Sequence, residues 1–220
     1  MDVGSLLSVT ETAELLGVDR TRVQALIVAR RLPAIRVGRD WRISVSDATR
    51  LQHATRRPGR PLAPARAWTV LANAERSGII DLPRSSATRD PFWFVNLTRR
   101  RATVRRMHVL DSLISQVADE LIAGGESAGR HHAFAPHDGR PVCDGYIVQS
   151  KSEDLVEQFA MVDAAGTDVN AVLRIVADDV WPFRTEDKTV GPLVAALDML
   201  SDPIDDRSVE SALPIVERYL

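Results

Sequence analysis

The chain has a single cysteine, Cys143, so no disulfide can form within it. It also lacks any stretch approaching the roughly 18 consecutive apolar residues of a membrane helix, because Arg, Asp or Glu interrupts every candidate. Residues 1–8 have neither the basic flank nor the apolar run of a secretory leader. These absences give the expectation of a cytoplasmic protein with no membrane partner. What is present is 220 residues, 45% hydrophobic and 26% charged, enough for one large or two small globular domains. Collagen-like, wholly disordered and disulfide-stapled classes are excluded.

The net charge of −2 conceals two opposed halves. Residues 1–110 hold 20 arginines against 9 acidic residues, a balance of +11; residues 111–220 hold 8 basic against 21 acidic residues, a balance of −13. The basic half points to a polyanion such as nucleic acid, and the acidic half to a basic protein. The ordinary alternative is two solvated surfaces that attract each other.

Ser8-Val9-Thr10-Glu11 is a capping box, in which each end residue satisfies a backbone N–H that the first helical turn leaves unpaired. A helix is expected through Ala13, Leu15 and Leu16, closed by Gly17 in the left-handed conformation. Asp19 caps a second helix, whose Val23, Leu26 and Ile27 recur at i, i+3 and i+4 as one buried stripe. Two short helices joined by Gly17-Val18-Asp19 have helix-turn-helix spacing. After Pro33 the pattern alternates: Ile35 and Val37, then Trp41 and Ile43, around Gly38-Arg39-Asp40. This predicts a β-hairpin with an apolar inner face, Arg36 and Arg42 outside and Arg39 at the tip. Ser44-Val45-Ser46-Asp47 is a second capping box, opening a helix that ends near Arg56.

Residues 8–51 therefore resemble the excisionase-type winged helix-turn-helix domain, related to the MerR regulators. The matching pieces are Val9-Thr10-Glu11-Thr12-Ala13-Glu14-Leu15-Leu16-Gly17-Val18 and Leu32-Pro33-Ala34-Ile35-Arg36-Val37-Gly38-Arg39-Asp40-Trp41-Arg42-Ile43. The resemblance implies a fold that binds double-stranded DNA, without fixing a biological purpose. If the apolar stripe of the second helix faces inward, Thr21, Gln24, Ala25 and Val28 face outward, flanked by Arg20 and Arg22. Arginine pairs bidentately with guanine and glutamine with adenine in the major groove, so Arg20, Arg22 and Gln24 are the candidates for base readout, with Thr21 beside them. Arg30, Arg31, Arg36, Arg39 and Arg42 are assigned to phosphates. Trp41 is expected in the core, because it alternates with Ile43. The ordinary alternative is a helix-turn-helix used only for protein contact.

Arg56-Arg57-Pro58-Gly59-Arg60-Pro61-Leu62-Ala63-Pro64 is rich in Pro and Arg and marks a linker. The expected organisation is a winged domain over 1–56, a basic linker over 57–66 and a partner-binding or effector domain over 67–220, with an α+β fold class. Gly59-Arg60-Pro61 resembles an AT-hook, although Pro58 stands where that motif has Arg, and a plain basic linker is the simpler account. Beyond it, a helix is expected over 67–77, ending at Gly78 with Trp68, Leu71 and Ala72 inward. A second basic cluster follows, Arg99, Arg100, Arg101, Arg105 and Arg106. An amphipathic helix is expected over 109–122, with Leu110, Leu113, Ile114, Val117 and Leu121 in its stripe and Gly124-Gly125 ending it. Strands are expected at 143–149 and 171–177, and helices at 152–162, 192–200 and 208–220.

The later half also resembles the C-terminal region of abortive-infection AbiE-type (type IV) antitoxins. The pieces that carry this, in order, are Gly124-Gly125-Glu126-Ser127-Ala128-Gly129-Arg130-His131-His132, Asp144-Gly145-Tyr146-Ile147-Val148, residues 170–182 and Ala196-Leu197-Asp198-Met199-Leu200. The resemblance implies a domain that acts against a nucleotidyltransferase-like toxin in a protein that represses its own operon.

Constellations that invite catalysis are incomplete. His131, His132, His137, Asp138 and Cys143 include zinc-ligand types, but their spacing fits no usual closed site. Asp178-Asp179 follows an apolar strand as Mg²⁺ ligands sometimes do, without a Gly-rich phosphate loop. The expectation is a non-enzymatic, nucleoid-associated repressor with no cofactor and no metal, autoregulating as an antitoxin, whose partners are operator DNA, a cognate toxin and a second copy of itself as homodimer. Two competitors are a ligand-responsive transcription regulator and an enzyme carrying a DNA-binding module.

Overall fold

The structure, a computed structural model, describes residues 6–29, 32–55, 60–81, 91–135, 142–164, 168–202 and 206–220. The first part is a small winged unit: β1 (Leu6–Ser8), α1 (Val9–Leu16), α2 (Arg20–Val28), β2 (Ile35–Val37), β3 (Asp40–Ser44) and α3 (Val45–Thr55). Its three strands lie in the order β1-β3-β2, all antiparallel, with Leu7 opposite Ile43. Strand β1 escapes a sequence reading because three residues are too few to show a period. Both ends of α1 form as expected. The Ser8 N–H donates to Glu11 Oε2 at 2.7 Å, the Glu11 N–H donates to Ser8 Oγ at 3.2 Å, and Gly17 closes the helix at φ 66°. Val23, Leu26, Leu32, Ile43, Ala48 and Leu51 form the core beneath. Gln52 on α3 donates through Nε2 to the Leu15 carbonyl, tying α3 to the end of α1.

The second part is built on a five-stranded mixed sheet in the order β5-β6-β8-β4-β7, made of β4 (Thr103–His108), β5 (Ile122–Ala123), β6 (Cys143–Val148), β7 (Val162–Asp163) and β8 (Ala171–Val176). Among the described neighbouring strands β6 and β8 are paired in parallel and the other pairs are antiparallel; α8 (Gln149–Gln158) lies on the connection between β6 and β8, as a parallel pair requires. One face of the sheet, with Met107, Cys143, Ile147 and Leu173, packs with residues of α6 (Ile114–Asp119) and α8. The other, with Tyr146 and Val176, packs under α4 (Pro64–Ser77), α5 (Pro91–Thr98), α7 (Gly125–His131), α9 (Pro192–Ser201) and α10 (Asp206–Glu217). Every residue of α9 from Leu193 to Leu200 is buried, which places this helix at the centre of the larger core. Helix α3 of the winged unit rests against α5, α9 and α10. The fold is α+β.

Several expectations need correction. Helix α4 starts at Pro64, with proline in its first turn where the missing N–H costs nothing, and the Leu62 N–H donates to the Leu97 carbonyl at 2.9 Å, so the end of the Pro-rich stretch is packed. Ala72 is exposed and Ala74 takes its place in the buried stripe. The helix expected over 109–122 is a 3₁₀ turn, the short α6 and strand β5, with Leu110 65% exposed. Gly124-Gly125 opens α7 rather than ending a helix: Gly124 is its N-cap and Gly125 sits at φ 39°. Helix α8 spans Gln149–Gln158, and Val162 belongs to β7. Strand β4 lies in the middle of the supposed basic cluster, and α5 in a largely apolar run whose hydrophobicity has no face.

Candidate nucleic-acid interface

The Asp19 side chain holds α2 at its start, accepting from the Arg22 N–H at 2.7 Å through Oδ1. With Val23, Leu26 and Ile27 buried, the opposite face is fixed: Arg20, Thr21, Arg22, Gln24 and Ala25 are exposed, and Val28 is 82% exposed. The structure thus brings the three candidate readout residues, with Thr21, onto the exposed side of one helix. Among the described residues, no carboxylate lies within ion-pair distance of Arg20 or Arg22, so both guanidinium groups remain available. Arg30 and Arg31 lie outside the described residues.

The wing differs from its sequence reading in one decisive way. The two-residue loop Gly38-Arg39 pairs Val37 with Asp40, Arg36 with Trp41 and Ile35 with Arg42. Paired residues share a sheet face, and a two-residue loop sets odd positions of one strand opposite even positions of the other. Arg36 therefore stands on the Trp41 side, its guanidinium carbon 5.7 Å from the ring centroid, while Arg42 shares its face with the exposed Ile35 and Val37. Trp41 is half-buried, a platform as much as a core residue. Arg42 is half-buried as well, and its charge acts on Glu11. That carboxylate is held below the usual glutamate range, first by the Ser8 N–H, then by the Ser8 hydroxyl, with Arg42 adding to both. Arg39 at the tip is exposed.

Replacing Arg36 and Arg39 together with alanine is expected to flatten the plot of log affinity for DNA against log salt by about 0.9 per lost phosphate contact. Trp41→Leu should reproduce the Arg36 share alone. An unchanged slope in the folded double variant would remove the wing from the interface.

A second polar cluster went unread in the sequence. Arg101, exposed by only 4%, donates to the Asp198 carboxylate and, through Nη1, to the Thr98 carbonyl and hydroxyl at 3.3 Å each. Tyr146 Oη donates to the same carboxylate, 2.7 and 2.8 Å from its two oxygens. Arg174 grips Asp144 bidentately at 2.6 and 2.7 Å and reaches Asp198 at 3.4 Å. Burial works against the charge on Arg101 and Arg174, yet Tyr146 and then Asp198 beside Arg101, and Asp144 and then Asp198 beside Arg174, hold both above the ordinary arginine range. The Tyr146 hydroxyl is pushed up by burial and by Asp198. Gly125 borders the cluster so closely that a Cβ there would lie 1.8 Å from Asp144 Oδ2. The available signal was a charged residue in the middle of an apolar element: Arg174 within Ala171–Val176, Asp198 within Pro192–Ser201.

The remaining sequence candidates are scattered. Arg105 pairs with Glu153 and Asp163, and Arg106 with Asp202, so with Arg101 three members of the basic cluster are engaged inside the molecule. The Cys143 thiol is buried in β6 and pushed up to about 12 by burial and the neighbouring Asp144 charge. His132 Nε2 lies 2.7 Å from the Val190 carbonyl oxygen; His137 and Asp138 fall outside the described residues. Asp178 and Asp179 are exposed after β8, and Asp178 accepts from the Ser150 N–H at 3.2 Å.

Comparison with protein families matches residues 6–47 to a helix-turn-helix domain. These residues form a helix-turn-helix DNA-binding domain. The match spans β1 through the first turn of α3, so the wing and both helices of the DNA-binding domain fall within it. No curated protein and no solved structure matches the chain. Among the described residues, no helix is long and apolar enough to cross a membrane.

Proposed function

We propose that the protein is a non-enzymatic, sequence-specific transcriptional repressor, and that it is the autoregulating antitoxin of a toxin–antitoxin pair. The observation that carries the first part is the outer face of α2, where Arg20, Thr21, Arg22 and Gln24 stand exposed, flanked by a wing bearing Arg36 and Arg39. Arg20, Arg22 and Gln24 read base edges, and the wing arginines hold phosphates. Support for the antitoxin role comes from short motifs whose order resembles that of AbiE-type antitoxins and from the balance of −13 over residues 111–220, which steers a basic partner and opposes DNA. Residues 67–220 then form the toxin-binding part, and a homodimer presents two recognition helices to a two-fold operator.

Selection of binding sites from random DNA by the full chain tests the first part, and a failure to enrich any sequence would end it. Co-expression with the product of the adjacent gene tests the second. Neutralisation of a growth defect, with complex formation that is faster at low salt, is expected. An adjacent product that is harmless, or toxic but not neutralised, removes the antitoxin role and leaves a ligand-responsive regulator.

Val28 adds a specific expectation. It lies one turn from Gln24 on the outer face, and the only apolar group in the major groove is the thymine methyl. Replacing thymines of the selected site by uracil, one at a time, should weaken binding by the full chain at one position at least, and Val28→Ala should abolish that sensitivity. Equal sensitivity in both proteins would place Val28 outside the groove.

A further inference from the structure

Beside the buried charge cluster lies a cavity of about 270 Å³, walled by Arg99, Arg101, Arg106, Arg174, Asp198 and Asp202. It opens at the end of α5 and against α9, two of the helices that touch α3 of the DNA-binding domain. Among the described residues its charge is unbalanced. Arg106 pairs with Asp202, while Arg101 and Arg174 share Asp198, with Asp144 bonded to Arg174 behind the wall. Four guanidinium groups thus meet three described carboxylates. Arg99 is the surplus: it is exposed at the rim, and among the described residues no carboxylate lies within ion-pair distance of it.

The donor inventory favours an anion over a cation. Asp198 already accepts from Arg101, from Tyr146 and from the Gly125 N–H at 3.2 Å, which leaves little lone-pair capacity for a metal ion. Arginine brings five N–H donors. Arg174 directs Nε and Nη2 to Asp144 and Nη1 toward Asp198, and Arg101 uses Nε, Nη1 and Nη2 on Tyr146, Thr98 and Asp198, so each guanidinium keeps a donor beyond these partners. Arginines arriving from the turn after α5 and from β8 line one cavity, and guanidinium groups hold phosphate oxyanions through charge-assisted hydrogen bonds.

We propose that this cavity binds a small phosphate oxyanion, held between Arg99 at the rim and the buried guanidinium groups of Arg101 and Arg174. The cavity is slightly smaller than most small-molecule sites, which span roughly 300 to 1,000 Å³, a size suited to inorganic phosphate or the phosphate group of a small ester. The site stands apart from the DNA-binding face and does not depend on the existence of a toxin.

The test is titration of the full chain with inorganic phosphate and, separately, with glycerol 3-phosphate at constant ionic strength, followed by calorimetry and by phosphorus NMR. Saturable binding is expected, tighter for the ester if the natural ligand carries an organic group and equal for the two if it is the free ion. Arg99→Ala should weaken it by about tenfold or more, the worth of a hydrogen bond to a charged group. Val104→Glu, which sets a carboxylate on the cavity wall from an exposed strand position, should abolish it while leaving the thermal unfolding midpoint near that of the native protein. Arg100→Ala, exposed next to Arg99 but outside the cavity, should bind as the native protein does. Absence of saturation with either probe overturns the proposal. So does binding lost equally in Arg99→Ala and Arg100→Ala, or lost in Arg22→Ala instead, since the phosphate would then sit elsewhere on the basic surface.

Discussion

Replacing Asp198 with alanine is expected to lower the stability of the folded protein by about 3 to 5 kcal/mol, the cost of breaking a buried ion pair by removing one partner. Asp198 is fully buried and accepts from Arg101, Tyr146 and the Gly125 N–H, with Arg174 at 3.4 Å. Without it Arg101 loses its carboxylate partner, and Arg174 keeps only Asp144 to balance its charge in a site with little solvent. Neither arginine can escape by deprotonation, because a guanidinium stays charged in proteins. The urea midpoint reports the loss. Asp198→Asn, which keeps shape and one acceptor, should lose less. Tyr146→Phe should cost about 1 kcal/mol, the net worth of an ordinary hydrogen bond. A combined Arg101→Met and Asp198→Leu variant should recover part of the loss of Asp198→Ala, since removing both charges leaves fewer unpaired. A loss below about 1 kcal/mol in Asp198→Ala would mean that water reaches the cluster freely.

Arg22→Ala and Gln24→Ala are each expected to cost about 1 to 3 kcal/mol on the selected DNA site, between roughly fivefold and 150-fold in affinity, and far less on random DNA. Both side chains are exposed on α2, and neither packs in the core, so the folded population should not change. The Arg22 backbone N–H that completes the Asp19 cap survives the substitution. Gel-shift titrations against selected and scrambled duplexes separate the outcomes. Equal losses on both duplexes would show that these side chains touch only phosphate, and the reading of bases would pass to other residues of the helix.

The winged domain was legible because its signals are local. Ser8 and Glu11, Gly17 and Asp19 lie within three residues of the backbone groups they satisfy, and the stripe of Val23, Leu26 and Ile27 is a helical period. The outer face of α2 followed from that stripe alone. The faces of the wing did not, because they depend on which residues pair across the turn. The inward side of β3 was read correctly, but that of β2 was inverted: Ile35 and Val37, expected inside, are exposed, and the two-residue loop sets Arg36 against Trp41 rather than beside Arg42.

In the second part the sequence by itself determined that β6 and β8 are strands and that α9 and α10 are helices, since branched runs and a helical stripe are written in neighbouring residues. It also determined the division of charge between the two halves. Only the tertiary structure decided what the charges inside those elements do. Asp144, Tyr146 and Arg174 come together by the parallel register of β6 on β8, and Arg101 and Asp198, 97 positions apart, meet where the turn after α5 passes α9. Strand β4 hid behind Arg105 and Arg106 for the same reason: a charged side chain looks solvated until the carboxylate that pairs with it, distant in sequence, is brought alongside. Periodicity reports which way a side chain points, but its partner is chosen by the packing of elements far apart in the chain.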